Sequence, residues 1–209
     1  MIHRNELSVR IEPTGRYLRF RYDFVAPVPV EQARRALQDY FTKLRYSLVS
    51  SDDALVMKRG SLVRSWVNWA PRNLAAELTA RFGSLGKDTA VMLELQLDRM
   101  GHIVYEAECH LLTIELVQAE TYLHGGVVDF EAMNQLDRRI RNQAIHALLL
   151  TIGAAFLFGL LFLGILFFML NVLGIKTKLA GALGAGITGG VSAYIFMLLL
   201  ESKLGPRRF

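Results

Sequence analysis

The residue types that most often do chemistry are thinly spread along this chain of 209 residues. Its five histidines (His3, His102, His110, His124 and His146) form no H-E-x-x-H and no other metal-ligand spacing. Cys109 is the single cysteine. On an extended segment it points away from His110, whereas a nucleophilic pair needs the two to meet. One cysteine makes no intrachain disulfide, which fits a reducing compartment. Glu94, Glu106 and Glu108 can gather across neighbouring strands, and paired carboxylates do acid–base work where burial separates their pKa values. The arginines interleaved with them make a solvated sheet face the simpler reading. The segment Gly184-Ala185-Gly186-Ile187-Thr188-Gly189 matches G-x-G-x-x-G. In dinucleotide-binding units that pattern follows a strand and brings the backbone against a pyrophosphate. Here it lies in an apolar run, with no strand before it and no acidic ribose partner after it. No catalytic, cofactor or metal residue is therefore expected, and the chain reads as a non-enzyme.

The strongest signal is where charge is missing. Asn142–Ile175 carries no Lys, Arg, Asp or Glu over 34 residues, and Leu179–Leu200 carries none over 22. At 1.5 Å per residue the second run spans roughly 33 Å, enough for a hydrocarbon core of about 30 Å. The expected organisation is a cytosolic domain over residues 1–126 and a juxtamembrane amphipathic helix over 127–146. A first transmembrane helix over 147–170, a short extracytoplasmic loop over 171–178, a second transmembrane helix over 179–200 and a basic tail over 201–209 follow. Met1–Arg10 is polar and lacks the apolar core of a cleavable signal. Arg138, Arg139 and Arg141 precede the first span, and Lys203, Arg207 and Arg208 follow the second. Only Lys176 and Lys178 lie between the spans. This bias places both termini in the cytoplasm of a cell inner (plasma) membrane protein. The same arginines are suited to anionic lipid headgroups.

Residues 1–146 hold 19 Lys+Arg against 18 Asp+Glu, whereas residues 147–209 hold 5 against 1. The basic excess thus belongs to the membrane flanks, and no nucleic-acid partner is expected. In the second run Gly181, Ala185, Gly189 and Ala193 recur at spacing four, and Ala182, Gly186 and Gly190 form the ridge beside them. Small residues let helices approach closely in lipid, so these positions are expected to pack against the first span and against another membrane subunit or a second copy. Trp66 and Trp69 are a candidate partner patch, because tryptophan is enriched at binding hot spots.

These features need a domain behind them. Leu18, Phe20, Tyr22 and Phe24 alternate with Tyr17, Arg19, Arg21 and Asp23, the period of a half-buried strand. After Pro27 and Pro29 the period changes: Val30, Ala33, Leu37, Tyr40, Phe41 and Leu44 share one face of a helix over 30–45. Strands are then expected at 46–49, 54–59, 62–69, 74–82 and 91–98, with a loop over 83–88. A further strand is expected at 102–110, with Ile103, Tyr105, Ala107 and Cys109 on one face. Helix is expected over 111–123, and a second amphipathic stripe runs from Val127 through Phe130, Met133 and Leu136 to Ile140. The fold class is α+β: an antiparallel sheet with amphipathic helices on one face, followed by a two-helix transmembrane hairpin.

Phe24-Val25-Ala26-Pro27-Val28-Pro29-Val30-Glu31-Gln32-Ala33 resembles the opening strand and helix of helix-grip domains of the START and polyketide-cyclase type. Leu55-Val56-Met57-Lys58-Arg59-Gly60-Ser61 is similar to a hairpin in uncharacterised bacterial proteins of the same layout. The likeness covers residues 16–110. It implies an antiparallel sheet closed by a C-terminal helix, and a lipid or small apolar ligand. In a departure from that pattern, Tyr46 opens a strand directly after the helix. From the residues themselves, the expected function is a membrane-anchored, non-enzymatic accessory or adaptor subunit of a larger membrane assembly. Its expected partners are membrane lipids and other subunits or a second copy of the chain.

Overall fold

The computed structural model describes residues 9–61, 71–99, 104–173, 194 and 196–206. The chain divides into two units, one running through Arg141 and the other covering Asn142–Pro206. The first is α+β. Its elements are β1 (Arg10–Thr14), β2 (Tyr17–Ala26), α1 (Val30–Lys43), β3 (Ser47–Ser50) and β4 (Leu55–Arg59). A 3-10 turn (Pro71–Asn73), β5 (Ala76–Leu85), β6 (Asp88–Asp98), α2 (Glu106–Leu123) and the start of α3 (Phe130–Leu173) follow.

The six strands form one antiparallel sheet in the order β1-β2-β6-β5-β4-β3. Its register turns the sequence alternation into two unlike faces. Phe20, Leu95, Leu78 and Met57 lie side by side across four strands, and each is at most 1% exposed. On the opposite face Arg19 pairs with Glu94 at 3.0 Å and Lys58 with Glu77 at 3.0 Å. The inner face is covered by α1, through Leu37, Tyr40 and Phe41, and by α2, through Leu111, Leu112 and Leu116. α1 stops at Leu44, where Arg45 takes φ 69° and the chain turns back into β3.

Four local expectations differ from the structure. The segment around Tyr105–Cys109 is the start of α2, not a strand. Glu108 folds back to accept the Tyr105 N–H at 2.8 Å, satisfying a donor that a helix start leaves free. The helix expected over 111–123 is present and begins five residues earlier, at Glu106. β1 was not expected, because Arg-Ile-Glu-Pro-Thr offers little alternation and an edge strand needs little. Residues 83–88 are a loop only at Gly86–Lys87, since β5 and β6 pair as far as Leu85 and Asp88. Val127 lies before α3 and is exposed. The expected strand over 62–69 falls outside the described residues.

In the second unit α3 runs on to Leu173, and residues 196–204 are helical. Among the described residues, one helix is long and apolar enough to cross a membrane. It covers Phe130–Leu161, and its most apolar window has a mean hydropathy of 2.2.

Candidate functional site

A hydrophobic inner face should end where charge begins, yet β4 places Arg59 on that face in line with Leu55 and Met57. The next residue fixes its surroundings. Gly60 sits at φ 72°, and a Cβ there would lie 2.2 Å from the Leu74 carbonyl oxygen, so a side chain is excluded. This close approach brings the end of β4 against the turn that carries Arg72. Both guanidiniums then meet Glu115, which α2 points inward.

Arg59 Nη1 donates to both carboxylate oxygens of Glu115, at 3.1 and 3.0 Å, and to the Leu44 carbonyl at 3.4 Å. Arg72 Nε donates to Glu115 Oε1 at 2.8 Å. The three side chains are 1%, 4% and 1% exposed for Arg59, Arg72 and Glu115. The Tyr46 ring lies 4.4 Å from the Arg59 guanidinium carbon, and Tyr40 donates its hydroxyl to the Glu115 carbonyl at 2.7 Å. Arg72 also reaches α3: its Nη1 donates to Asn134, and its backbone N–H donates to Asp137 Oδ1 at 3.2 Å. β4, the 3-10 turn, α2 and the root of α3 are thereby joined through one carboxylate and two guanidiniums.

The chemistry this permits is narrow. The Glu115 carboxylate is engaged by two guanidiniums, and burial keeps substrates away. Among the described residues, Arg59 Nε and Nη2, Arg72 Nη2 and the Tyr46 hydroxyl have no hydrogen-bond partner. Burial pushes the Tyr46 hydroxyl well above its usual pKa, opposed by Arg59 and helped by Glu115. Tyr40 is likewise raised, by burial first and by Glu115 second. Burial works against the charge of Arg59, but Glu115 and the other anionic groups around it outweigh that and hold its pKa up. The arrangement is a clamp.

A second cluster ties α1, α2 and α3 at their outer surface. Asp39 and Lys43 on α1 are 2.7 Å apart, Tyr122 on α2 donates to Asp39 Oδ2 at 2.5 Å, and Lys43 donates to the Tyr122 hydroxyl at 3.0 Å. The Lys43 ammonium stands 5.7 Å from the ring centre of Phe130, the first residue of α3. Hydrogen bonds from Lys43 and Tyr122 hold the Asp39 pKa below its usual value, and the Asp39 bond holds Lys43 above its own.

The residues singled out from sequence are distributed differently. Arg138, Arg139 and Arg141 share one stretch of α3, with Arg138 and Arg139 exposed and Arg141 half-buried. Lys203 is exposed within the 196–204 helix. Gly181, Ala182, Ala185, Gly186, Gly189, Gly190, Ala193, Arg207, Arg208, Trp66 and Trp69 lie outside the described residues. The three glutamates do not gather on the sheet: Glu94 is paired with Arg19, while Glu106 and Glu108 start α2. The buried Arg59, Arg72 and Glu115 were not anticipated. Arg59 carried a usable signal, a charge at the buried parity of a strand.

No protein-family model and no curated protein matches the chain. Two solved structures are similar to it. One is EF2215, a conserved protein of unknown function from Enterococcus faecalis, at 8% identity and a TM-score of 0.38, covering 66% of this chain and 93% of that one. The other is CalU16 from Micromonospora echinospora, at 12% identity and a TM-score of 0.37, covering 63% and 88%. Neither likeness is close enough to carry an assignment.

Proposed function

We propose that this chain is a membrane-anchored, non-enzymatic accessory or adaptor subunit. In this reading the α+β unit is presented in the cytoplasm at the inner (plasma) membrane, and a two-helix hairpin docks into a larger membrane assembly. The observation that carries it is the contrast along α3. Its root is held by buried polar groups, whereas only 18% of its most apolar window is buried. Leu149 and Phe156 are 59% and 67% exposed. Apolar helix surface of that extent needs lipid or a partner to cover it. The basic residues on either side of the charge-free runs support cytoplasmic termini, and the small-residue ridges at Gly181–Ala193 support close helix contacts.

The clamp supports a structural task over a catalytic one. A tethered binding domain for a lipid or small apolar ligand, as in helix-grip domains, would need open space between sheet and helices. Among the described residues, Tyr40, Phe41, Phe20 and Leu37 pack between sheet and helices at 0–1% exposure, which favours the structural reading. The test is purification of the full chain from native membranes in mild detergent, followed by mass measurement of the intact complex. Other membrane subunits or further copies should accompany it, and Gly186→Leu with Gly189→Leu should release them. A chain that stays monomeric in detergent, or that leaves the membrane in alkaline carbonate, overturns the proposal.

A further inference from the structure

The stretch of α3 that precedes the charge-free run carries a cost that the isolated chain does not offset. Arg138 and Arg141 are three residues apart on one helix, and like charges at that spacing repel. Arg139 lies beside them. The acid nearest Arg138 is Glu131 at 3.9 Å, and both side chains are largely in solvent, at 62% and 60% exposure. Among the described residues, Arg139 and Arg141 form no ion pair. No charged residue follows until Lys176. Three guanidiniums within four positions, two exposed and Arg141 half-buried, therefore share one weak counter-charge, directly before a helix surface that turns apolar at Ile145 and Leu149.

We propose that Arg138, Arg139 and Arg141 form a site for the phosphate groups of anionic phospholipids, an inference that rests on the membrane-anchored reading above. Guanidinium forks match phosphate oxygens two at a time, which suits arginine better than lysine. An anion there removes the repulsion between Arg138 and Arg141. A bilayer supplies the phosphate at the level where a helix passes from charged to apolar. The exposed Ile145 and Leu149 make a lipid phosphate a better fit than a free one, because the acyl chains can lie along the same helix.

The experiment uses the full-length protein in nanodiscs containing equal amounts of phosphatidylglycerol and phosphatidylcholine with identical acyl chains. The readout is the ratio of the two lipids retained on the released protein by mass spectrometry. Phosphatidylglycerol should be enriched, with a loss of about fivefold for each arginine neutralised. Arg138→Gln with Arg139→Gln and Arg141→Gln should bring the ratio to one, and the matching triple lysine variant, which keeps the charge and loses the forks, should keep only part of the enrichment. Arg139→Gln alone, at an exposed position, guards against misfolding of the triple variant. Equal retention of both lipids by the unaltered protein overturns the inference, as does enrichment that survives the triple glutamine change. Soluble glycerol phosphate that competes as well as the lipid makes this a free-anion site and also overturns it. If the inference alone fails, the protein still resists carbonate extraction. If the anchoring reading fails, the protein leaves the membrane in carbonate before any lipid comparison, and both fall.

Discussion

Two clusters that each pair a carboxylate with cations beside a tyrosine tie α2 and α3 to their neighbours, and they differ chiefly in their access to water. Arg59, Arg72, Glu115 and Tyr46 are sealed inside, while Lys43, Asp39 and Tyr122 sit at the surface, the ion pair there being 47% and 55% exposed. Geometry alone would rank the outer pair higher, since its 2.7 Å separation is shorter than any ion-pair contact in the inner cluster. Dielectric surroundings reverse the ranking of consequences. An exposed pair gains little over its hydrated ions, and salt screens it. A buried pair is not itself a large source of stability, but removing one member strands the other without water. Distance therefore describes a bond, and burial decides what its loss costs.

The largest expected effect tests that claim at Glu115. Glu115→Gln leaves two buried guanidiniums without their shared carboxylate, and should lower unfolding stability by about 3–5 kcal/mol. Urea titration of the full chain in detergent, followed by near-ultraviolet circular dichroism, reads the loss. Replacing Arg59, Glu115 and Arg72 together with Met, Leu and Met should recover most of it. A mild Glu115→Gln variant would show that water reaches the cluster and that the contrast with the outer site is false.

Alkaline titration gives the next largest effect. Tyr40 and Tyr46 have pKa values raised above the usual 10.0 by burial, so the unfolded chain ionises them first. Their contribution is present in full below about pH 10 and is lost as pH climbs toward the folded values, at about 1.4 kcal/mol per pH unit for each group. Phenolate absorbance should show Tyr40 and Tyr46 ionising only as the fold opens. Their early appearance would mean that the inner cluster is wet.

The smallest effect belongs to Asp39→Asn, which should leave the urea midpoint within measurement scatter and abolish its slight dependence on salt. The lowered Asp39 pKa contributes stability only above its usual value of 3.8, and that is lost as pH falls through the folded value. A midpoint shift comparable with that of Glu115→Gln would erase the distinction between the two clusters.

Much of the frame was legible because each signal was local. β2 and β6 alternate over ten residues or more, and α1 carries one apolar stripe between Pro29 and Leu44. What escaped notice depended on partners distant in sequence. Glu115 lies in the apolar stretch Leu111–Val117, and nothing nearby says that it meets arginines 56 and 43 residues earlier. Arg72 stands between Pro71 and Asn73, which read as an interruption. Gly60 reads as an ordinary turn residue, and only the Leu74 carbonyl shows why it has no side chain. Of α2, the stretch 111–123 reads as helix, whereas its first turn at Glu106–His110 alternates like a strand and gives no sign of where the helix begins.

The order of the charges along the chain also has a consequence during synthesis. Both arginines and all six strands are translated before the carboxylate that neutralises them, and Arg72 precedes Glu115 by 43 residues. At roughly 5–20 residues per second, that leaves the nascent sheet waiting about 2–9 s with two cations on the face it must bury. The emergence of α2 from the ribosome therefore brings the carboxylate that both buried cations meet in the finished fold.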